Sequence, residues 1–333
     1  RDRGTQRQGR HGLGRQMWSR VLPPAEERWV DIAGKASGAR VHKIFADENN
    51  LLMDLNGLLH SQDEPFGSTS IYAQNWVFRL ASQNNIKVML DGQGADEMLA
   101  GYRPYIGARL CSLIRQGKVA EAVAFLRGTS HLPGASRTMT LKLAASRLLP
   151  SALATIARSA AGKSHVPLWM NACWFERHQV QAFEHVYESE NMLREELHRN
   201  LVENSLPQLL RYEDRNSMAY SIESRVPFLT PELAQFIFSL PEKYLISNEG
   251  VTKWIFREAM RGIVPDVILD RKDKIGFATP EQKWLSVLRP WVDQVLNSPM
   301  SEQVPALVAG EMRKEWQRVL DGHAGFDFRV WRW

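Results

Sequence analysis

Val88-Met-Leu-Asp-Gly-Gln-Gly-Ala-Asp-Glu-Met-Leu-Ala-Gly-Tyr102 continues an apolar run that begins at Ile86, passes through a glycine-rich turn, and becomes the start of a helix near Ala95. Gly92 and Gly94 let the backbone turn tightly and approach a ligand closely. Strand, turn and helix in that order set Asp91, Gln93, Asp96 and Glu97 at the carboxyl end of a strand, where open α/β sheets bind ligands. Acids are also favoured at any helix N-terminus by the dipole, so these residues alone leave a purely structural role open.

The 333 residues, 44% hydrophobic and 24% charged, have room for one large or two ordinary domains and the composition of a globular protein. No run approaches the roughly 18 apolar residues of a spanning helix, and the N-terminus has no signal-peptide core, so the expected compartment is cytoplasmic, with no membrane partner. Cys111 and Cys173 belong to no zinc-type cluster and are expected reduced. The net charge of +5 suggests nucleic acid at first sight. Arg1, Arg3, Arg7, Arg10, Arg15 and Arg20 against Asp2 already account for +5, leaving residues 21–333 near neutrality. The body of the chain is not basic, and no nucleic-acid partner is expected.

In chain order, residues 1–20 are Arg-, Gly- and Gln-rich and are expected as a disordered basic tail, with residues 21–333 as the folded domain. The lack of an initiating Met and the apolar end at Trp333 suggest a fragment. Residues 26–36 have helical period, 41–45 read as a strand, 51–59 as a helix with Asn49 as its cap, and 71–82 as a helix burying Trp76, Leu80 and Ala81. With the strand at 86–90, this order implies a parallel sheet across residues 21–105. From 106 to 333 nearly every segment reads as helical and no strand pair is expected: 118–127, 141–149, 151–161, 176–197, and a charged helix from 211 to 221 that Pro227 ends, with 165–174 as a Pro- and aromatic-containing connector. That last run mixes Arg211, Glu213, Asp214 and Arg215 with Met218, Ala219, Ile222 and Val226, so at least one charge must lie near a buried surface and needs partners. Residues 271–280 form a basic loop whose Lys272 and Lys274 suit a departing polyphosphate if they lie near the acidic turn.

LDGQGADEMLAGY at 90–102, LLRYEDRNSMAYSIESRVPFL at 209–229, GVTKWIFREAM at 250–260 and RKDKIGFATP at 271–280 together resemble the synthetase domain of the glutamine-hydrolysing asparagine synthetase family, from about Glu26 to the end. The resemblance implies an α/β fold: an adenine nucleotide α-hydrolase-like parallel sheet of the pyrophosphatase-loop type, incomplete on its N-terminal side, followed by a mainly helical lobe. It implies ATP and Mg2+ as cofactors and adenylation of aspartate, after which ammonia displaces AMP to give asparagine. The ammonia would come from glutamine in a separate glutaminase domain, and a homodimer is an option for the full-length form.

Carried over by motif, Lys274 would stabilise charge on the departing pyrophosphate and Glu223 would assist proton movement. Asp91, Gly92, Gln93 and Gly94 would line the nucleotide, and Asp96 would bind magnesium. Arg225, Asp214 and Lys253 would shape the substrate pocket, with an ion-pair scaffold as the alternative.

Three departures from the family pattern stand out. The pyrophosphate-gripping SGGxDS string does not occur before Glu26, and the glutaminase domain with its Cys nucleophile is absent, so these 333 residues alone are expected to be inactive. Gln93 stands where Glu is common and Asp91 where Ser is common. Gln93 cannot act as a base, which keeps open a relative that amidates or cyclises a different carboxylate. A non-catalytic nucleotide- or partner-binding remnant is the further alternative.

Overall fold

The computed structural model describes residues 16–20, 24–44, 48–132, 137–148, 166–180, 189–272, 279–325 and 329–333. The expected helix at 151–161 and the central part of the basic loop, including Lys274, lie outside the described residues.

Strand β1 (Gln16–Arg20) leads through α1 (Pro24–Ser37) to β2 (Arg40–Ile44), and the two strands pair in parallel from Gln16–Arg40 to Arg20–Ile44. The disordered tail expected for residues 1–20 therefore needs correction at 16–20, where the backbone is satisfied by ladder bonds to β2. The Arg- and Gly-rich composition upstream masked a five-residue strand. Two helices follow, α2 (Glu48–Gln62) and α3 (Ser70–Gln83), before β3 (Val88–Leu90), which opens the glycine turn into the short α4 (Ala95–Met98). Asn49 lies within α2 rather than capping it. In α3 the buried face is Ile71, Tyr72, Asn75, Phe78 and Ala81, while Trp76 and Leu80 are only half-buried.

The remaining described chain is mostly helical: α5 (Pro104–Arg115), α6 (Val119–Thr129), α7 (Arg137–Leu148), α8 (Ala172–Arg177), α9 (Met192–Arg199) and α10 (Leu206–Met218). The single helix expected over 176–197 is not continuous, because α8 ends at Arg177 and Gln179 takes a left-handed φ of 55°.

The larger correction concerns the stretch after α10. Its helix does not run to Pro227. Ile222 N donates to Ser217 O and Ser221 N to Met218 O, with Ser221 at φ 54°, which is a Schellman-type stop. Glycine normally marks such a stop, and Ser221 conceals it. Residues Glu223–Arg225 then form β4, parallel to β3, with Val88 opposite Glu223, Met89 opposite Ser224 and Leu90 opposite Arg225. The helical part of the chain thus supplies a strand that the sequence did not reveal, since three residues are too few to show a period.

Among the described residues the expected continuous parallel sheet is two separate two-stranded parallel sheets, β1–β2 and β3–β4. One face of β3–β4 is buried: Ile222 packs with Phe78 and Ala81 of α3, and Ile86, Met89 and Tyr220 close around them. Its other face carries Val88, Leu90, Glu223 and Arg225, all exposed. The largest core lies beyond the turn, where Met98, Tyr105, Leu110, Leu113, Phe125, Met192, Leu193 and Leu197 are buried together. Because α4 belongs to this core through Met98 and Leu99, the turn is clamped between a strand pair and a helical mass.

Helix α10 is bolted to α2 and α3 by the fully buried Asn216. Its Oδ1 accepts from Gln62 Nε2 (3.0 Å) and Asn75 Nδ2 (3.2 Å), and its Nδ2 donates to Ile71 O (3.1 Å). Arg215 pairs with Asp63 at 2.8 Å and Arg211 with Glu64 at 3.3 Å on the outer side. These contacts fix the rotation of α10, and with it which of its acids faces the sheet.

Candidate functional site at the strand ends

The β3–α4 turn is shaped by its own side chains. Asp91 Oδ1 accepts from Gln93 N at 2.9 Å, closing an Asx turn, while Asp91 N donates to Arg225 O at 2.8 Å and prolongs the β3–β4 ladder by one bond. Gly94 then takes φ 85°, and a Cβ there would stand 2.2 Å from Leu229 Cδ2, so glycine is demanded twice over. Gly92 is exposed, and a Cβ on it would meet nothing within 4 Å, which leaves the backbone of the turn open to a ligand.

The two acids of α4 separate into different tasks. Glu97 is buried, and its Oε1 accepts from Tyr102 Oη (2.8 Å) and Ser205 Oγ (2.9 Å), so it ties the turn to the segment before α10. Asp96 is half-buried, and its Oδ1 lies 2.9 Å from Lys253 Nζ. Lys253 reaches it from a left-handed residue (φ 55°) that precedes the helix Trp254–Ala259, with Lys253 N donating to Leu99 O at 3.2 Å. The contact passes directly over Gly101, where a Cβ would fall 1.7 Å from Asp96 Oδ1.

Alternation along β4 sorts the other candidates. Ser224 points inward, whereas Glu223 and Arg225 are exposed on the opposite face, joined to each other by a 2.7 Å bond from Arg225 Nε. That guanidinium holds the Glu223 carboxyl below the ordinary range. Asp214 is exposed on α10. Asp91, Gln93, Asp96 and Lys253 are therefore gathered about the turn. Glu223 and Arg225 stand beside it on the open face, and Lys274 lies outside the described residues.

The sequence named Glu213 only as one of four charged residues of which at least one must be buried, and did not single out Ser224. Glu213 is only 2% exposed, and its Oε1 accepts from Ser224 Oγ. Burial, followed by the nearby Asp91 carboxylate, pushes its carboxyl up to about 7, against bonds from Ser224 and the Gln93 side chain that act the other way. Burial likewise raises Asp91, opposed by the backbone donors of Gln93 and Gly92. Two carboxyls and an amide thus meet beneath the turn. Helical spacing carried the signal, for Glu213 lies seven residues after Leu206 and three before Asn216, on the one buried stripe of α10.

Among the described residues no group of three or more His, Cys, Asp or Glu could hold a metal ion. A Mg2+ at the turn would rest on Asp96 as its protein carboxylate, which suffices only for an ion that takes most of its oxygens from phosphates and water. Also among the described residues, no helix is long and apolar enough to cross a membrane.

The asparagine synthase family model matches residues 23–333. The chain is 24% identical over 299 residues to asparagine synthetase [glutamine-hydrolyzing] 1 of Bacillus subtilis, covering 82% of this chain and 44% of that protein. It is 27% identical over 311 residues to a putative asparagine synthetase [glutamine-hydrolyzing] of Mycobacterium bovis, covering 88% and 45%. A shorter match, 32% over 114 residues, joins 33% of the chain to 20% of the Gallus gallus asparagine synthetase [glutamine-hydrolyzing]. The chain spans less than half the length of these relatives. With a glycine turn at the end of its β3–β4 strand pair and a family match over residues 23–333, the chain belongs to the asparagine synthase family.

Proposed function

We propose that this protein serves the ATP-dependent amidation of aspartate. The side-chain carboxylate attacks the α-phosphorus of ATP and pyrophosphate leaves. Ammonia then attacks the acyl carbon, and AMP departs with the bonding electron pair as the nitrogen loses a proton. The observation that carries this reading is the glycine turn at the carboxyl ends of two parallel strands, with Gly92 facing open space and the Asp96–Lys253 pair alongside. An adenylate is needed because a carboxylate oxygen is a very poor leaving group and AMP a good one.

In this scheme the backbone of Asp91, Gly92, Gln93 and Gly94 lies against the nucleotide. Asp96 would hold a Mg2+, which supplies charge neutralisation to the phosphates when bound. Lys253, 2.9 Å away, orients that carboxylate. Lys274 is assigned the charge developing on pyrophosphate, and Glu223 a part in proton movement. Ammonia is taken to come from a glutaminase domain acting on glutamine, and the 333 residues without an SGGxDS string are expected to turn over poorly by themselves.

The test is ATP–pyrophosphate exchange by the protein expressed from its complete reading frame. Exchange that depends on aspartate, followed by asparagine formation on adding ammonia, supports the proposal. Exchange driven by a different carboxylate, with none from aspartate, would overturn the choice of substrate while keeping the chemistry. That second reading is favoured by Gln93, a neutral residue where related enzymes commonly carry an acid.

A further inference from the structure

Residues 271–280 can bring cations to the strand-end site only if something fixes their entry relative to the acidic turn. Both ends of that stretch are anchored. At the near end Arg257 Nη1 donates to Leu269 O and, at 2.7 Å, to Arg271 O, while Arg257 Nε donates to Thr252 O at 2.8 Å. The Arg271 guanidinium lies over the Trp29 ring of α1, 5.0 Å from its centroid. At the far end the Thr279 hydroxyl shares a hydrogen bond with that of the fully buried Thr69, just before α3.

Arg257 stands out in this set. It is half-buried, and burial works against its charge. Among the described residues its side-chain hydrogen bonds go to main-chain carbonyls rather than to a carboxylate. Leu269 O and Arg271 O lie where the short helix Asp266–Leu269 gives way to the basic loop, so gripping them fixes the course of the backbone there. The neighbouring Arg261 holds side chains only, Asp266 at 2.8 Å and Asp270 at 2.5 Å, on the exposed surface where such pairs contribute little.

An arginine that caps the carbonyls of a helix end is an ordinary structural device. What sets Arg257 apart is the other end of its own helix. Lys253, four residues earlier, stands 2.9 Å from Asp96, and its N donates to Leu99 O. Arg257 N donates to Lys253 O at 3.0 Å, which places the two residues one helical turn apart on one face. That is a rise of about 6 Å. A single turn of helix thus connects the acidic turn to the first residues of the basic loop.

We propose that Arg257 is a positioning residue: by gripping the carbonyls of Leu269 and Arg271 one helical turn from the Lys253–Asp96 pair, it sets Lys272 and the loop entry in fixed relation to the acidic turn. For its catalytic consequence the inference rests on the adenylating role proposed above. There the loop cations meet charge that grows as pyrophosphate leaves, while bound ATP is held by the turn. Misplacing the loop therefore slows the chemical step without weakening ATP binding.

The experiment has an arm that needs no turnover. Spin labels at Gly92→Cys, where a side chain meets open space, and at the exposed Lys272→Cys report the distance from turn to loop by pulsed EPR on the 333-residue chain carrying Cys173→Ser. A single narrow distance is expected with Arg257 present, and a clearly broader distribution in Arg257→Met. Should that variant fold poorly, Arg257→Lys serves, since one nitrogen cannot span the carbonyls that a guanidinium fork spans, and broadening is again expected. Equal widths with and without Arg257, whether narrow or broad, overturn the proposal. In the kinetic arm, on unlabelled protein from the complete reading frame, Arg257→Met is expected to lower kcat for aspartate-dependent ATP–pyrophosphate exchange by roughly tenfold or more, with the KM for ATP within about twofold. Stoichiometric Mg-ATP binding is expected to be retained, which separates the effect from a smaller folded fraction. An unchanged kcat, or a loss of Mg-ATP binding in step with kcat, would overturn the positioning role. If wild-type protein shows no exchange with aspartate, the proposed substrate fails while the EPR arm still decides whether Arg257 fixes the loop.

Discussion

Lys253 Nζ and Asp96 Oδ1 stand 2.9 Å apart across a gap that exists because residue 101 has no side chain. A Cβ at 101 would lie 1.7 Å from the carboxylate oxygen and 2.5 Å from Lys253 Cε. Gly101→Ala is therefore expected to break this pair and to lower stability by about 1 to 3 kcal/mol. Denaturant unfolding checks the stability, and titration with Mg-ATP should show weakened binding. Wild-type values for both would mean the pair does not organise the turn.

The pH dependence of folding should report Glu213. Its folded carboxyl titrates near 7 against an ordinary 4.5, so between those values the folded protein holds a proton that the unfolded chain has released. Stability from this group is complete below about pH 4.5 and is lost as pH rises toward 7. Glu213→Gln carries no such titration and should gain on the wild type between pH 5 and pH 8, by at most on the order of 3 kcal/mol. Urea unfolding of both proteins at the two pH values measures the difference directly.

Deep in the helical part, Arg109 Nη1 lies 2.8 Å from Glu242 Oε2, and Ser112 Oγ donates to Glu242 Oε1 at 3.0 Å. All three residues are buried. Removing one charge leaves the other stranded, and Glu242→Leu alone is expected to cost about 3 to 5 kcal/mol. The double variant Arg109→Met, Glu242→Leu should cost clearly less than the worse single one. A double-mutant cycle by thermal melting tests this, and additive losses would refute the coupling.

The two thiols should be chemically distinct. Cys111 is buried and its thiol is pushed up to about 11 by desolvation, while Cys173 is exposed. A native sample is expected to react with a thiol reagent at Cys173 alone, and at both residues only after unfolding. Equal native rates at the two positions would contradict the burial of Cys111.

Much of the turn was legible in the sequence because its chemistry is local. Two glycines, an aspartate that closes its own turn and an apolar run before them announce strand, turn and helix without help from distant residues. Helices α1, α2, α3, α6 and α7 have apolar faces with the 3.6-residue period, so most of their existence and rough extent followed as well. The family resemblance rested on the same kind of local strings.

What the sequence by itself determined was the composition of the strand-end turn and the family of the chain. The tertiary structure decided which residues share that turn. Strand β4 is three residues long and follows a helix closed by a serine in the left-handed region, so nothing local distinguishes it from more helix; it is a strand because β3 offers its backbone a ladder. Once β4 pairs, alternation sends Ser224 inward to Glu213 and leaves Glu223 and Arg225 on the open face. The rotation of α10, set by Asn216 against α2 and α3, chooses Glu213 over Asp214 as the buried acid that meets Ser224. Those choices arise from packing and from bonds between residues more than a hundred positions apart, which no window of sequence contains.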